Sequence, residues 1–446
     1  MKPLKILLLN PPNENEIIAN DALFTREHGG FSPPLGLGYI ASYIEKMTPH
    51  RTFLLDCQAE EVDYNKLCAV LLCRNYDIIG ITCLTLCMVD VKKTIQYIKS
   101  IKKDITIICG GPHATIYPEE TLRLGVDKVI IGEGERAMVE AISSPSLFYT
   151  SIPTDFLNIL PFPARVAKEF YYSILSDRVT TSMITSRGCP YQCVFCDRPT
   201  MGKKFRERSA INVTDEIEEC LEQGIEEINM YDDTFTINRN RVFEICDEIE
   251  KRGLKFTWDI RARVNTVDYE MLKRLRKVGC IRIRMGVESG VQRILDILNK
   301  NITLEQAENA FKWAKSVGME TFAYFMIGNP HEQKGDIDET YNFSRRLKAD
   351  YAQFTILTPF PATKLYSMWL EKHDKDIWKD FATNPTKNFT PPFWDEYFTL
   401  QELRDMLSKI YKSYYLQPRV IFNKIKNIRS FTQLKRVIQA GRGLYG

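Results

Sequence analysis

The sequence predicts an α/β protein: a doubly wound parallel sheet, then a (β/α)6 partial barrel, then a helical carboxyl-terminal extension. Three observations carry this. Short β-branched runs alternate with amphipathic stretches of helical spacing through residues 1–145 and again through 179–365. Between the two series, 146–178 reads as a linker, because Pro153, Pro161 and Pro163 interrupt any helical pattern. Of 446 residues, 44% are hydrophobic and 26% charged, which is ordinary globular usage and excludes wholesale disorder.

In the first series, Lys5 to Leu9, Thr52 to Leu55, Ile78 to Thr82, Thr106 to Cys109 and Lys128 to Ile131 read as buried parallel strands. Leu35 to Glu45, Tyr64 to Arg74, Val89 to Ser100, Pro118 to Leu124 and Glu135 to Ala141 read as the helices between them. Five such units make an open sheet of flavodoxin-like size. Ligands of these sheets lie beyond the carboxyl ends of the strands. Those ends are Asn10-Pro11-Pro12, Cys83-Leu84-Thr85, Gly110-Gly111-Pro112-His113 and Gly132-Glu133-Gly134-Glu135. Glycine at such a place lets a ligand approach the backbone, so the module reads as a binder of something large and flat, or phosphate-bearing.

In the second series the strands are Thr180 to Thr185, Glu227 to Tyr231, Lys255 to Ile260, Arg282 to Val287, Glu320 to Ile327 and Ala352 to Leu357. Six units are too few to close an eight-fold barrel, so the barrel should be laterally open, with its chemistry at the carboxyl ends of the strands. Tyr324, Phe325, Phe354, Phe360 and Tyr366 fall near those ends and are candidates to line an apolar pocket. Residues 366–446 read as the helical extension.

No uncharged run approaches the roughly 20 residues of a membrane span, and the amino terminus lacks a signal-peptide pattern. The expectation is therefore a cytoplasmic protein whose twelve cysteines are reduced thiols or metal ligands. A net charge of +3 suggests no nucleic-acid partner. Residues 417–446 nevertheless carry seven Lys or Arg and no Asp or Glu. Ile421, Ile425, Ile428, Phe431, Leu434 and Ile438 make an apolar stripe at helical spacing beside those cations. That pattern fits either a helix docked on the barrel or one lying against the inner membrane face.

The strongest signal is Cys189-Pro190-Tyr191-Gln192-Cys193-Val194-Phe195-Cys196, directly after the first barrel strand. Three thiolates at C-x3-C-x2-C spacing can hold three irons of a [4Fe–4S] cluster and leave the fourth iron open to a small molecule. The alternative, structural zinc, needs a fourth ligand, for which Asp197 is the nearby candidate.

This spacing resembles the radical S-adenosylmethionine (SAM) superfamily. The resemblance implies a [4Fe–4S] cluster on Cys189, Cys193 and Cys196. It implies SAM contacts at Asp233, Arg261, Glu288, Ser289 and Gly328, with Phe195 shielding the cluster or stacking near adenine. Each strand-end acid also has a plainer role open to it; Asp233 could cap the following helix. The order of the two modules, with Ser32-Pro33-Pro34-Leu35-Gly36 and the glycine loops above, is similar to the cobalamin-binding subgroup. That implies cobalamin contacts at Asn10, Pro11, Pro34, Leu35, Gly36, Thr85, Gly110, Gly111, His113, Gly132, Glu133 and Gly134. The D-x-H-x-x-G motif that offers a lower axial histidine is absent after the first strand. The cobalamin is thus expected base-off, with His113 a loop residue touching the corrin. Cys57, Cys83, Cys87 and Cys109 sit at or after strand ends. They keep open a methylthiotransferase with a second iron–sulfur cluster; a non-catalytic corrinoid or cluster sensor is a further alternative. The resemblance implies methyl transfer to carbon or phosphorus, or else oxidative cyclisation. It also implies a small, apolar substrate, a flavodoxin or ferredoxin as electron donor, and a monomer.

Overall fold

The computed structural model describes residues 2–19, 32–172, 178–197 and 202–427. The first sheet comprises β1 (Lys5–Asn10), β2 (Arg51–Asp56), β3 (Ile78–Thr82), β4 (Thr106–Gly110), β5 (Lys128–Ile131) and β6 (Phe148–Thr150). All pairings are parallel, in the order β2-β1-β3-β4-β5-β6. Strand alternation sorts the side chains. Ile6 and Leu8 face the helices Leu35–Met47 and Gly134–Ser143, and Leu7 and Leu9 face Tyr64–Cys73 and Met88–Ile101. The sixth strand lies inside the stretch expected to be a linker. Three residues between prolines are too short to display a period, and it is buried Tyr149 packing on the sheet that fixes the strand.

The second sheet comprises β7 (Thr180–Met183), β10 (Glu227–Met230), β11 (Thr257–Arg263), β12 (Cys280–Glu288), β13 (Glu320–Ile327) and β14 (Tyr351–Ile356). Its order is β14-β13-β12-β11-β10-β7, all parallel, with no pairing between β7 and β14 among the described residues. The barrel is open, as expected. Ala323, Phe325 and Ile327 of β13 and Ala352, Phe354 and Ile356 of β14 are buried against the outer helices, whereas Phe322, Tyr324 and Met326 alternate onto the inner face. Phe325 and Phe354, expected as pocket residues, stack on each other and belong to the outer core. Tyr366 is buried in the carboxyl-terminal aromatic cluster, where Phe360 stacks on Trp378. Tyr324 alone of that set lies on the inner face.

Charge closes the lower end of the barrel. Arg282 pairs with Glu320 at 2.8 Å, Glu227 at 3.4 Å and Asp259 at 3.5 Å, and Arg284 pairs with Asp259 at 2.8 Å. Phe322 and Tyr351 stack beside them, ring centroids 4.3 Å apart. A two-stranded antiparallel hairpin, β8 (Ser186–Arg187) with β9 (Arg206–Glu207), stands above β7. Trp378, Phe381 and Trp394 of the extension join the hydrophobic core of the first sheet. No helix among the described residues is long and apolar enough to cross a membrane. The described part of the extension ends in the helix Pro418–Asn427; the rest of the basic tail, from 428, lies outside the described residues.

Candidate active site at the barrel mouth

The cysteines lie in the segment that joins β8 to β9. Its base is pinned by Asp232, which is fully buried and accepts hydrogen bonds from the Thr185 N–H (2.6 Å), the Thr185 hydroxyl (2.5 Å) and the Ser186 N–H (2.8 Å). Gly188 has φ +83°, and a Cβ there would strike the Lys204 carbonyl, so glycine is required for the segment to leave β8. The loop is then tied to the barrel by Val194 N–H to the Leu298 carbonyl (3.1 Å), Leu365 N–H to the Val194 carbonyl (2.8 Å) and the Asn299 amide to the Gln192 carbonyl (2.7 Å). Cys193 is buried, Cys189 half-buried and Cys196 exposed. Arg263, at the end of β11, donates to Cys193 Sγ at 3.4 Å, and its guanidinium lies 3.8 Å from the centroid of the Tyr191 ring. Burial pushes the Cys189 thiol up, opposed by the Tyr191 N–H.

The donor set fits an iron–sulfur cluster. A [4Fe–4S] cube takes thiolates at separate corners, and Arg263 beside Cys193 complements the charge they carry. Asp197, the candidate fourth zinc ligand, is pushed up to about 6 by burial, and its Oδ1 is buried without a partner.

The strand ends beside this loop carry the expected SAM residues. Asp233 is exposed and caps nothing: Asn238 caps the helix Arg239–Arg252. Although Asp233 reaches the surface, the surrounding chain takes much of the water from its carboxyl, and that and neighbouring Asp232 raise it, against the pull of Arg261. The Arg261 guanidinium lies 3.6 Å from the centroid of the Tyr231 ring. Glu288 ends β12 at φ +71° and pairs with Lys300 at 2.5 Å. A non-glycine residue held there costs on the order of 1–3 kcal/mol, which the contacts around it must offset. The Lys300 ammonium also lies 5.7 Å from the ring centroid of half-buried Phe195. These contacts bring Cys189, Cys193, Phe195, Asp233, Arg261 and Glu288 together. Ser289 is fully buried instead, its hydroxyl 3.1 Å from that of Thr340 and accepting from the Val291 N–H. Gly328 turns the end of β13 at φ +75°.

Beyond Gly328, Glu332 is 1% exposed and accepts from the Asn329 backbone N–H (2.9 Å) and side-chain amide (3.0 Å). Burial pushes its carboxyl up to about 7, against the lowering effect of those bonds. A carboxyl raised from 4.5 holds its proton longer in the folded state, so its contribution is full below pH 4.5 and is lost as pH rises towards 7. At 1.36 kcal/mol per unit the loss is roughly 3 kcal/mol. In urea melts, wild type should therefore lose about that much stability relative to Glu332→Gln between these pH values; parallel curves would refute the assignment.

In the amino-terminal module, Asn10 ends β1 and donates to Asp56 at 2.7 Å, and Pro11 is buried behind it. Pro34 precedes the helix that Leu35 and Gly36 begin, and Gly36, unlike the other described glycines of this module, has open space where a Cβ would stand. Gly134 does not: its Cβ would meet Ile40 at 2.5 Å, so this glycine serves helix packing. Gly110 ends β4 against Ile130, Gly111 packs on Cys83, and Gly132 turns the chain after β5. His113, expected on a loop, lies in the first turn of the helix Pro112–Ile116, because Pro112 starts a helix there. It is fully buried, its Nδ1 is 3.3 Å from the Thr85 hydroxyl, and burial lowers it to about 3. It presents no exposed atom to a ligand. The open Gly36 backbone and the strand-end loops fit a large flat ligand. Cys57, Cys83 and Cys109 are core residues of this sheet and act as small apolar side chains.

Glu133 points elsewhere than expected. Arg187 of β8 pairs with Glu133 at 3.2 Å and Glu135 at 2.5 Å, and Arg206 of β9 also grips Glu133, all four side chains at most 7% exposed. The sequence pattern did not single out these arginines; the available signal was a second arginine downstream of the cysteines facing an acidic glycine loop.

Residues 183–344 match the radical SAM superfamily and residues 23–142 the B12 binding domain. The chain is 32% identical to the uncharacterized methyltransferase PH0819 of Pyrococcus horikoshii over 98% of both chains. It is 26% identical to the anaerobic magnesium-protoporphyrin IX monomethyl ester cyclase of Rubrivivax gelatinosus, over 93% of this chain and 80% of that one. Its fold superposes with TM-score 0.74 on the radical SAM methyltransferase TsrM of Kitasatospora setae, at 16% identity and 99% coverage of each chain. The protein is thus a radical SAM enzyme with a B12-binding module ahead of its barrel. It belongs to the cobalamin-dependent radical SAM family. The B12-binding match favours cobalamin over a second iron–sulfur cluster in that module.

Proposed function

We propose that the protein transfers a methyl group, by way of cobalamin, to an unactivated carbon or phosphorus centre of a small molecule. The observation that carries this reading is one shared mouth. The cysteine loop, Asp233, Arg261 and Glu288 surround it, and the amino-terminal module reaches it where the Ser32 and Tyr231 hydroxyls stand 2.9 Å apart. When bound, the cofactors supply a 5′-deoxyadenosyl radical and a transferable methyl group. Cys189, Cys193 and Cys196 would hold the cluster, Asp233 and Glu288 would accept hydrogen bonds from SAM, and Arg261 would supply a cation beside it. Phe195 keeps water from the cluster. The burial of His113 supports a base-off cobalamin. Tyr324 and Met326 on the inner face of β13, nearer the mouth than Phe322, support a substrate with an apolar body. The donor of electrons is of the flavodoxin or ferredoxin class, and the protein acts as a monomer.

The test is a product count. Reduced, reconstituted enzyme given SAM alone should form one S-adenosylhomocysteine per bound cobalamin, besides 5′-deoxyadenosine. The cyclase reading, favoured by the identity to the Rubrivivax enzyme, requires 5′-deoxyadenosine without S-adenosylhomocysteine.

The tail supports peripheral contact with an anionic membrane. Arg419 bonds the Lys348 carbonyl at 2.9 Å and Val420 is buried on the barrel, yet Ile421 and Phe422 are 41% and 67% exposed. Removing residues 421–446 should abolish pelleting with anionic vesicles at low salt; equal pelleting of both forms refutes the contact.

A further inference from the structure

The neck of the cysteine loop is gripped by the other module. Arg187 and Arg206 stand directly opposite each other across the β8–β9 pair. Two cations so placed repel unless something neutralises them. Glu133 and Glu135 do this, from the start of the helix Gly134–Ser143, where the positive helix end itself favours acids. The two guanidinium groups and two carboxylates are all buried, so the interactions are little screened by solvent. The Arg187 guanidinium also lies 5.1 Å from the ring centroid of Tyr39, on the helix that Leu35 and Gly36 begin. Arg187 is two residues before Cys189, and Glu133 lies in the loop after β5, at the ligand end of its sheet. One cluster of charges thus joins the loop of each cofactor.

We propose that Arg187 and Arg206 with Glu133 and Glu135 form a coupling clamp, through which order in the cluster loop and order in the cobalamin loop reinforce each other. The clamp residues are positioning residues. The inference rests on the assignment of the two cofactors to the two modules. Linkage requires that the coupling be reciprocal: the cluster tightens cobalamin by the same factor as cobalamin tightens the cluster.

The experiment compares the dissociation constant of hydroxocobalamin for protein with and without its reconstituted cluster. It does so in wild type, in Arg187→Met, and in Arg187→Met/Glu135→Met. The double variant removes a whole buried pair and leaves no stranded charge on either of those two positions, so it folds even where the single variant does not. Wild type should bind at least about tenfold tighter with the cluster present, within the usual range of coupling between sites. In the double variant, which keeps only the Arg206–Glu133 pair, the ratio should fall several-fold towards one. A clamp that were mere glue would weaken both constants alike and keep the ratio, and that result overturns the proposal. So does a wild-type ratio of one. Wild type that binds no hydroxocobalamin in either state overturns the cofactor assignment and the clamp together.

Discussion

Alanine at Cys189, Cys193 or Cys196 is expected to reduce 5′-deoxyadenosine formation from SAM to background. Each change removes a thiolate for which the loop has no substitute, and the cluster needs three to stay bound while one iron remains open. The cysteines elsewhere supply the control. Cys220, Cys246 and Cys280 are fully buried in the core between barrel and outer helices, and burial raises their thiols. Alanine at those three should leave iron content and SAM cleavage intact and cost only packing energy, about 1 kcal/mol each. Iron analysis and product quantification after anaerobic reconstitution decide the matter. A triad variant with full iron and normal cleavage would remove the loop from the chemistry; loss of cleavage in all six variants would mean that the assay reads stability.

The alternation of β-branched runs with helical periods made both sheets legible, because parallel strands buried on two faces are continuous apolar runs. Phe148–Thr150 was illegible because three residues have no period. The cysteine loop was legible because metal ligation imposes a fixed local spacing. Contacts made across the fold were not. Arg263 reaching Cys193, and Arg187 and Arg206 reaching Glu133, join residues far apart in the chain, Lys300 reaches back to Glu288 past the helix Gln292–Ile297, and no local pattern encodes such pairs. Position near a strand end was likewise too coarse to sort Tyr324 from Phe325: neighbours on a strand face opposite sides, and which side is inner depends on the register of the whole sheet. The same limit applies to Ser289, one residue past Glu288 and turned into the core.

Lys300→Met is expected to destabilise the protein by about 3–5 kcal/mol, the cost of leaving a buried carboxylate without its partner. Lys300 and Glu288 have side chains 8% and 9% exposed and pair with each other at 2.5 Å. Glu288 is held in the left-handed region at φ +71°, where strain must be offset by such a contact. The pair therefore fixes the carboxylate at the mouth of the barrel, beside the Phe195 ring that the same ammonium faces. Adding Glu288→Gln to Lys300→Met removes the stranded charge and should recover most of the lost stability. It should not recover SAM affinity, because the amide replaces one of the two acceptor oxygens and is no longer anchored. Chemical denaturation gives the first quantity and equilibrium binding of SAM to the reconstituted protein the second. If the double variant stays as unstable as the single one, the ion pair is not the source of the loss. If it binds SAM as wild type does, Glu288 is a structural residue and not a cofactor contact.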